Sequence, residues 1–438
     1  MLFSTQIGII ADDLTGANDT ALQFQKRNAR THILLDYEEI DIEDNNTDMS
    51  VWATSTETRN ISAPIAQKRV EQAIKSMSEK LNIDRFYKKI DSTVRGNIAP
   101  ETLTMLKTLE KDASVIIPAF PSEGRTTVGG YHLLKGIPIG RTEMAQDPHS
   151  PISESHLPTM LRNQLDEEDK DIVGHIELKT IMNGAGPILI KLNELIKQGK
   201  KLIVADAVSI VDIEQIILAI NKSEYNILPT GTAAAASVLS DIWLKEVDHR
   251  EQHHIPLLPK LIISGSATEI NSNQIDKFKK CDEFEDVFEI ALTQNNILDG
   301  VKDEMVDLII NNLKESNTVL VHSSHLIENF DGFSDDSLTA ELTKHKFASD
   351  ITDFLALLTK KVLEQQNVIL VTLGGETSYK CCRAIGSMEL NLIDEVCPAI
   401  ALCVDKKDRF IITKSGNLGN SNTLIDILHY IKAHENIS

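Results

Sequence analysis

Short apolar runs rich in β-branched residues recur along the chain between longer segments of helical periodicity. Runs of this length and composition are typical of buried β-strands. We predict strands at residues 6–10, 113–117, 201–205, 260–263, 318–321 and 367–372. Strands that alternate with helices along a chain favour parallel sheets covered by helices. The pattern therefore predicts an α/β fold.

Residues 64–81 show the helical periodicity clearly. The segment has a proline at its start, which suits the first turn of a helix. The apolar positions that fall on one stripe are Ile65, Val70, Ala73, Ile74, Met77 and Leu81. Such a stripe buries itself against a sheet, so we predict a covering helix here.

The length of 438 residues exceeds what one hydrophobic core normally organises, so two domains are expected. The best boundary is the segment 246–259, which has mixed charge, three histidines and two prolines and precedes a new strand. We predict a first domain at 1–245, a linker at 246–259 and a second domain at 260–438. Each domain should contain a mostly parallel sheet flanked by helices.

The formal net charge of −21 disfavours binding to nucleic acid or to an anionic membrane. No segment is long enough to cross a bilayer, and no basic leader begins the chain. The five cysteines include no C-x-x-C, which suits reduced thiols. We expect a cytoplasmic protein with small-molecule partners and no nucleic-acid or membrane partner. A homo-oligomer is compatible with the sequence, which does not determine the oligomeric state.

Adjacent carboxylates follow the first predicted strand. Open α/β sheets bind ligands beyond the carboxyl ends of their strands, and Asp12 and Asp13 occupy such a position. Neighbouring acids are tolerated there if solvent, a metal or a positive neighbour compensates their charge. The alternative is structural, with Thr15 or Asp19 capping the helix that follows.

A second polar loop, at 88–97, supplies the positive charge that the chain lacks overall. Its charged and hydroxyl side chains are Lys88, Lys89, Asp91, Ser92, Thr93 and Arg95. Arginine binds a carboxylate with two parallel hydrogen bonds and lysine adds a point charge, so the loop suits an acid that carries hydroxyls. The alternative is a solvated turn in which Ser92 caps a helix. Arg59, after a strand at 51–54, is a third candidate anion ligand.

Three predicted strand ends in the second domain are rich in glycine and hydroxyl residues. They are I-S-G-S-A-T at 263–268, V-T-L-G-G-E-T at 371–377 and I-T-K-S-G-N-L-G-N at 412–420. A glycine turn that enters a helix exposes backbone N–H groups and the positive helix end, which can hold phosphate. Each alone is explained by a capped strand-to-helix turn, and none is a Walker A or G-x-G-x-x-G motif. Their recurrence in one domain favours a nucleotide site.

Other chemistries have weaker support. The histidine pairs at 253–254 and at 322 and 325 do not form H-E-x-x-H, so we assign no metal-binding residues. No G-x-S-x-G motif is present. Residues 118–140, which include Arg125, are either a substrate-covering loop or a long irregular connection.

The ordered set of motifs resembles the four-carbon acid sugar kinase family. The matching segments are I-A-D-D-L-T-G-A-N-D-T at 10–20, T-E-T-R at 56–59, K-K-I-D-S-T-V-R-G-N at 88–97, P-x-x-G-R at 121–125, S-G-S at 264–266, G-G-E-T at 374–377 and K-S-G-N-L-G at 414–419. Residues 16–20 and 28–31 look most like the D-threonate kinase branch. The chain departs from the family at Leu14, where Phe is common, and at Asn417, where Gly is common.

The resemblance implies an N-terminal domain that binds the acid sugar, a C-terminal domain that binds the nucleotide, and an active site in the cleft between them. Its substrate-binding positions correspond to Asp13, Arg59, Lys89, Ile90, Asp91 and Ser92, and the loop chemistry adds Arg95. Its ATP-binding positions correspond to Ser264 or Ser266, Gly374, Gly375, Glu376, Thr377 and Gly416.

We therefore expect transfer of the γ-phosphoryl group of ATP, with Mg²⁺ on the phosphates, to the terminal hydroxyl of a four-carbon sugar acid. D-Threonate is the first candidate, and erythronate and 3-oxo-tetronate are alternatives. Asp13 is the candidate catalytic base, with Asp91 as the alternative. Two other classes stay open: an ATP-dependent ligase that phosphorylates the carboxylate, and a nucleotide-sensing protein with a degenerate site. The intact acidic and K-I-D-S-T-x-R-G segments argue against degeneracy.

Overall fold

A computed structural model of the chain describes residues 6–40, 49–146, 150–244, 254–284, 286–324, 326, 337–416 and 418–435; at 282 and 337–345 it describes the backbone alone. The chain divides into two compact units, Met1–His249 and Arg250–Ser438. This division falls inside the predicted linker at 246–259. Because residues 245–253 lie outside the described part, the boundaries at 245 and 260 stay predictions.

The first unit is built around a parallel sheet of eight described strands. The strands of this unit are β1 Gln6–Ala11, β2 Arg30–Leu34, β3 Ser50–Ser55, β4 Arg85–Lys89, β5 Ala113–Ile117, β6 Arg125–Val128, β7 Tyr131–Leu134, β8 Ile137–Pro138, β9 Val173–Ile176, β10 Leu202–Ala205 and β11 Ile227–Gly231. The order in the parallel sheet is β2-β3-β1-β4-β11-β5-β10-β9. Strands β6, β7 and β8 form a small antiparallel sheet. The segment 118–140 is therefore not an irregular connection.

The α-helices of this unit are α1 Leu14–Gln25, α2 Ala63–Leu81, α3 Ile98–Thr108, α4 Leu157–Asn163, α5 Leu178–Ile181, α6 Ala185–Lys197, α7 Ile210–Lys222 and α8 Ala233–Trp243. Helix α2 confirms the predicted helix at 64–81 and ends at Asn82, which adopts a left-handed conformation. One predicted core position is wrong. Ile65 is 52% exposed, and Ala66 is buried in its place, because the stripe is set by the later residues Val70, Ala73 and Ile74.

The second unit contains a sheet of seven described strands. They are β12 Lys260–Ser264, β13 Phe288–Ala291, β14 Thr318–His322, β15 Ile369–Leu373, β16 Glu389–Cys397, β17 Ile400–Asp405 and β18 Phe410–Lys414. Strands β13, β14, β12, β15 and β18 are parallel in that order, and β17 and β16 continue it as antiparallel neighbours. The α-helices are α9 Glu269–Phe278, α10 Gln294–Asp299, α11 Asp303–Glu315, α12 Ser337–Leu363, α13 Gly375–Ala384 and α14 Thr423–His434.

All six predicted strands are confirmed, with ends within two residues of the predicted ones. The strands of both parallel sheets carry β-branched and leucine side chains, which are buried because helices cover the sheets. None of the described helices is long and apolar enough to span a membrane. All five cysteines are free.

The strand order of each unit brings particular loops together. In the first unit β1 lies between β3 and β4, so the loops that follow these three strands meet at one edge of the sheet. In the second unit β12 lies between β14 and β15, and β18 is next to β15. These are the positions where the order of strands reverses, which is where open α/β sheets bind ligands.

Candidate active site

The two acids that follow β1 are bound by one arginine from the loop after β3. Arg59 donates from Nε to Asp12 Oδ2 at 2.8 Å, from Nη2 to Asp12 Oδ1 at 2.9 Å and from Nη1 to Asp13 Oδ2 at 2.7 Å. This fork-shaped pairing fixes the guanidinium plane. Arg59 was predicted as an anion ligand, and in the structure its main partners are these two carboxylates.

Asp13 is also the cap of α1. Its Oδ1 accepts a hydrogen bond from the backbone N–H of Gly16 at 2.8 Å, so the cap is neither Thr15 nor Asp19. The Asp13 side chain is 21% exposed, whereas that of Asp12 is 6% exposed. Asp13 is thus the carboxylate that solvent or a ligand can reach more easily.

A third carboxylate, Asp91, lies at the end of β4. Arg95 donates from Nε to Asp91 Oδ2 at 2.7 Å, and Arg59 Nη2 lies 3.9 Å from Asp91 Oδ1. Burial alone would raise the pKa of Asp91, but the two guanidinium groups hold it well below its usual range. The pKa of Asp12 is also lowered, because Arg59 outweighs its burial. Both carboxylates are therefore ionised at neutral pH.

The two adjacent lysines of β4 have different surroundings. Lys88 is 1% exposed, and its Nζ pairs with Glu101 Oε2 at 2.7 Å. Lys89 is 5% exposed, yet no ion pair or hydrogen bond joins its ammonium to any residue that the structure describes. Its Nζ lies against Gly16, where an added Cβ would be 2.8 Å from Lys89 Nζ and 2.6 Å from Asp13 Oδ1. Lys89 is therefore a buried cation beside the exposed carboxylate.

Other members of the 88–97 loop have structural contacts. The side chain of Ile90 is buried in the core, so only its main chain could meet a ligand. Asn97 occupies the N-cap position of α3, without a capping hydrogen bond from its side chain, so Ser92 is not the helix cap. The carbonyl of Ser92 accepts a hydrogen bond from Nε2 of His132 at 2.9 Å.

His132 is a site residue that sequence reasoning missed. Because a carbonyl only accepts, Nε2 carries the proton, and Nδ1 accepts from Thr127 Oγ1 at 3.1 Å. Burial lowers the pKa of His132 to about 4, so the ring is neutral at neutral pH. The small sheet thus holds the loop after β4 through a neutral histidine. Nothing in the sequence indicates this contact, because His132 and Ser92 are 40 residues apart along the chain.

Glu57, in the T-E-T-R motif, was not assigned a role either. Its Oε1 accepts hydrogen bonds from the backbone N–H of Leu14 at 3.0 Å and from Ser55 Oγ. Its backbone has a φ of 47°, a region that non-glycine residues rarely adopt. Burial, with a contribution from Asp13, raises the pKa of Glu57 to about 7. The site therefore includes a carboxyl group that titrates near neutral pH.

A cavity of about 340 Å³ opens beside the two arginines of this cluster. Its lining includes Arg59, Arg95, Asn97, Ser150 and Glu154, whereas Asp13 and Lys89 are not among the lining residues. This space, polar on most sides, can admit a small hydroxylated molecule.

In the second unit, the predicted loops meet beyond β12, β15 and β18. Thr268 Oγ1 donates to the carbonyl of Gly416 at 2.8 Å, and the backbone N–H of Gly374 donates to the carbonyl of Lys414 at 2.7 Å. A Cβ at Gly416 would lie 2.1 Å from Ser266 Oγ, and one at Gly374, whose φ is 120°, would lie 2.9 Å from Thr377 Oγ1. The structure thus brings together loops with no room for larger side chains.

Asn271 orders the first of these loops. Its Nδ2 donates to Ser264 Oγ at 2.8 Å and to the carbonyl of Ser266 at 3.2 Å. Its Oδ1 is buried and has no hydrogen-bond partner among the described residues. The glycine turns, with their backbone N–H groups and neighbouring hydroxyls, fit the compact phosphate chain of a nucleotide.

The remaining predicted nucleotide residues lie at the start of α13. Gly375 is its first residue. Glu376 is on the surface, and its carboxylate pairs with Lys380 at 3.0 Å and accepts from Thr352 Oγ1 at 3.2 Å. Asn417, a departure from the family pattern, lies outside the described residues.

No group of three or more His, Cys, Asp or Glu side chains among the described residues could hold a metal ion. His322 pairs with Glu289 at 2.8 Å, and His253 and His325 lie outside the described part of the chain.

Comparisons with known proteins agree with this division of sites. A model of a sugar-binding N-terminal domain matches residues 7–239, and a model of a nucleotide-binding C-terminal domain matches residues 261–424. A solved structure from Salmonella typhimurium, described as a putative tRNA synthase, is 20% identical with a TM-score of 0.77, covering 96% of this chain and 98% of that one. This likeness shows the fold.

Two curated relatives match along nearly their whole length. The D-erythronate kinase of Heliobacterium modesticaldum is 28% identical, over 98% of this chain and 97% of that protein. The D-threonate kinase of Salmonella typhimurium is 27% identical, over 97% of this chain and 98% of that protein. With the matching domain models, these relatives show that the chain belongs to the four-carbon acid sugar kinase family and is a carbohydrate kinase.

Proposed function

We propose that the protein transfers the γ-phosphoryl group of ATP to the terminal hydroxyl of a four-carbon sugar acid, with D-threonate as the first candidate. In this reaction the hydroxyl oxygen forms a bond to the γ-phosphorus, the bond from that phosphorus to the β–γ bridging oxygen breaks, and ADP leaves. The hydroxyl proton passes to a carboxylate of the protein. The products are a sugar acid 4-phosphate and ADP.

The observation that carries the proposal is the ammonium of Lys89. A buried cation without a partner is costly, and a substrate carboxylate would supply the missing charge. Arg59 contributes less directly, because it already binds Asp12 and Asp13. The cavity beside Arg59 and Arg95 offers room for the hydroxylated carbon chain.

Asp13 is the carboxylate we assign as proton acceptor. Asp12 and Asp91 have lowered pKa values, which makes them weak bases, and Asp13 is more exposed than either. If Asp13 is the base, Asp13→Asn should lower kcat by at least about 100-fold with little change in KM for the acid. Near-wild-type turnover in Asp13→Asn, together with loss of kcat in Glu57→Gln, would transfer the role to Glu57.

The nucleotide would be held by the glycine turns of the second unit, with Ser264 or Ser266, Gly374, Gly375, Glu376, Thr377 and Gly416 as its proposed contacts. Backbone N–H groups at these turns and at the start of α13 bind phosphate without a charged side chain. Mg²⁺ bound to the phosphates would neutralise the charge that develops in the transition state.

The test is ADP release, measured by a coupled assay, with D- and L-threonate, D- and L-erythronate, 3-oxo-tetronates and 4-hydroxythreonine. We expect the highest kcat/KM with D-threonate; a higher value with D-erythronate or a 3-oxo-tetronate would change the substrate within the family. Activity with none of them would refute the proposed substrate class.

The rival reaction is phosphorylation of the substrate carboxylate, because the same anion and nucleotide loops could serve a ligase. The two products differ chemically. An acyl phosphate reacts with hydroxylamine to give a hydroxamate, whereas a 4-phosphate ester does not. Hydroxamate formation in proportion to ADP would refute the kinase reaction.

A further inference from the structure

Four lysines are buried in the part of the chain that the structure describes: Lys88, Lys89, Lys260 and Lys414. Two have carboxylate partners, since Lys88 pairs with Glu101 at 2.7 Å and Lys260 pairs with Glu435 at 2.5 Å. The other two, Lys89 and Lys414, have none among the described residues. Both lie at the carboxyl end of a parallel strand.

Lys414 is 1% exposed, and among the described residues its ammonium makes one hydrogen bond, from Nζ to the carbonyl of Ser415 at 2.7 Å. An ammonium has three N–H donors, so its hydrogen-bonding capacity is far from filled. No charged side chain among the described residues interacts with it, and burial alone lowers its pKa to about 8. A lysine kept in this state is suited to receive an anion.

The position of Lys414 links it directly to two of the glycine turns, and Gly416 lies against Ser266 of the third. It is the last residue of β18, its carbonyl accepts the N–H of Gly374, and Ser415 leads directly to Gly416. Two other lysines in the described part of this unit have carboxylate partners. Lys380 pairs with Asp353 at 2.8 Å, and Lys279 pairs with Glu289 at 2.7 Å.

We propose that the ammonium of Lys414 binds a phosphate group of the nucleotide. This inference rests on the proposed function, and it adds a charged side chain to a site that otherwise offers backbone N–H groups and hydroxyls. The ligand chemistry is that of a nucleoside di- or triphosphate, whose anionic oxygens supply the acceptors that Lys414 lacks. A phosphate partner also stabilises the protonated lysine.

The test is calorimetric titration of the full chain with ATP and Mg²⁺, at pH 7 and at pH 9. We expect Lys414→Met to weaken ATP binding roughly 10- to 100-fold at pH 7, which is the range for a hydrogen bond to a charged group. Lys279→Met, which removes one positive charge from the same unit, should stay within about twofold of the wild type.

Lys414→Arg gives a second, independent readout. Because the wild-type lysine loses its proton as the pH rises through about 8, wild-type affinity should fall between pH 7 and pH 9. Arginine stays charged over this range, so Lys414→Arg should bind ATP at pH 7 and should keep that affinity at pH 9. This variant also covers the case in which Lys414→Met does not fold, as judged by its melting temperature.

The outcomes separate the two proposals. If the wild type binds ATP and both Lys414 variants bind it equally well at both pH values, Lys414 is not a phosphate ligand and the proposed function stands. If Lys414→Met loses the same factor in affinity for adenosine as for ATP, its role is structural and the inference is wrong. If the wild type binds neither ATP nor ADP, the proposed function and this inference both fail.

Discussion

The neighbouring lysines of β4 allow a sharp test, because substitution of each by methionine should damage a different property. Lys88→Met leaves the carboxylate of Glu101, whose side chain is 2% exposed, without its 2.7 Å partner. The other oxygen of Glu101 is buried and has no hydrogen-bond partner in the part of the chain that the structure describes. Breaking one half of a buried ion pair costs about 3–5 kcal/mol. In a unit of this size, 1 kcal/mol shifts a melting temperature by about 2–4 °C, so we expect a decrease on the order of 10 °C.

Lys89→Met should have the opposite profile. It removes a buried charge that has no partner, so the melting temperature should change by no more than about 3 °C. The loss should instead appear as a KM for the sugar acid raised roughly 10- to 100-fold. Both variants would be compared by differential scanning calorimetry and by steady-state kinetics at a temperature where each is folded. A Lys88→Met protein that keeps its stability but loses substrate affinity, or a Lys89→Met protein whose melting temperature falls as far as expected for Lys88→Met while its KM stays unchanged, would refute the assignment.

Three further predictions concern other parts of the two units. Because the pKa of Glu57 is raised from 4.5 to about 7, its contribution to the free energy of unfolding is present below about pH 4.5 and is lost as the pH rises through 7. Denaturation experiments between pH 4.5 and pH 8 should show that this free energy falls by up to about 3 kcal/mol in the wild type and that Glu57→Gln removes the fall. Parallel curves for the two proteins would contradict this. Asp206 accepts hydrogen bonds from Gly129, Gly130, Leu178 and His175, so Asp206→Asn, whose amide places donors against donors, should cost about 3 kcal/mol in thermal unfolding; an unchanged melting temperature would refute this. Gly416→Ala would place a Cβ 2.1 Å from Ser266 Oγ and should weaken ATP binding about tenfold without changing KM for the acid; equal loss for both ligands would indicate a general folding defect.

The strands and their loops could be predicted because their signals are local. A run of β-branched residues followed by polar or glycine residues locates the carboxyl end of a strand, and all six predicted strands are present. The placement of Asp13 and Gly374 just beyond strand ends, and of Lys89 at the end of β4, follows from this pattern. The sequence does not reveal which lysine of a pair faces a carboxylate, because the partner Glu101 lies in a different element.

Contacts between distant segments account for most of what was missed. His132 reaches Ser92 from a small antiparallel sheet 40 residues away, and the segment that carries it was predicted only as a loop or an irregular connection. The role of Asp13 as helix cap was missed because Thr15 and Asp19 are equally good capping residues by type. The raised pKa of Glu57 depends on burial, which its four-residue motif does not specify.

The net charge of the chain does not predict the charge balance at the candidate site. A net charge of −21 should repel a sugar acid, and three carboxylates, Asp12, Asp13 and Asp91, stand where the acid would bind. Arg59 pairs with Asp12 and Asp13, and Arg95 pairs with Asp91, so all three carboxylates have arginine partners, whereas no ion pair or hydrogen bond joins the ammonium of Lys89 to a described residue. Because buried charges at contact distance act far more strongly than exposed charges screened by salt, the local balance governs binding. In the proposed site the acids therefore fix the arginines in place, and we expect Lys89 to be the group that attracts the substrate.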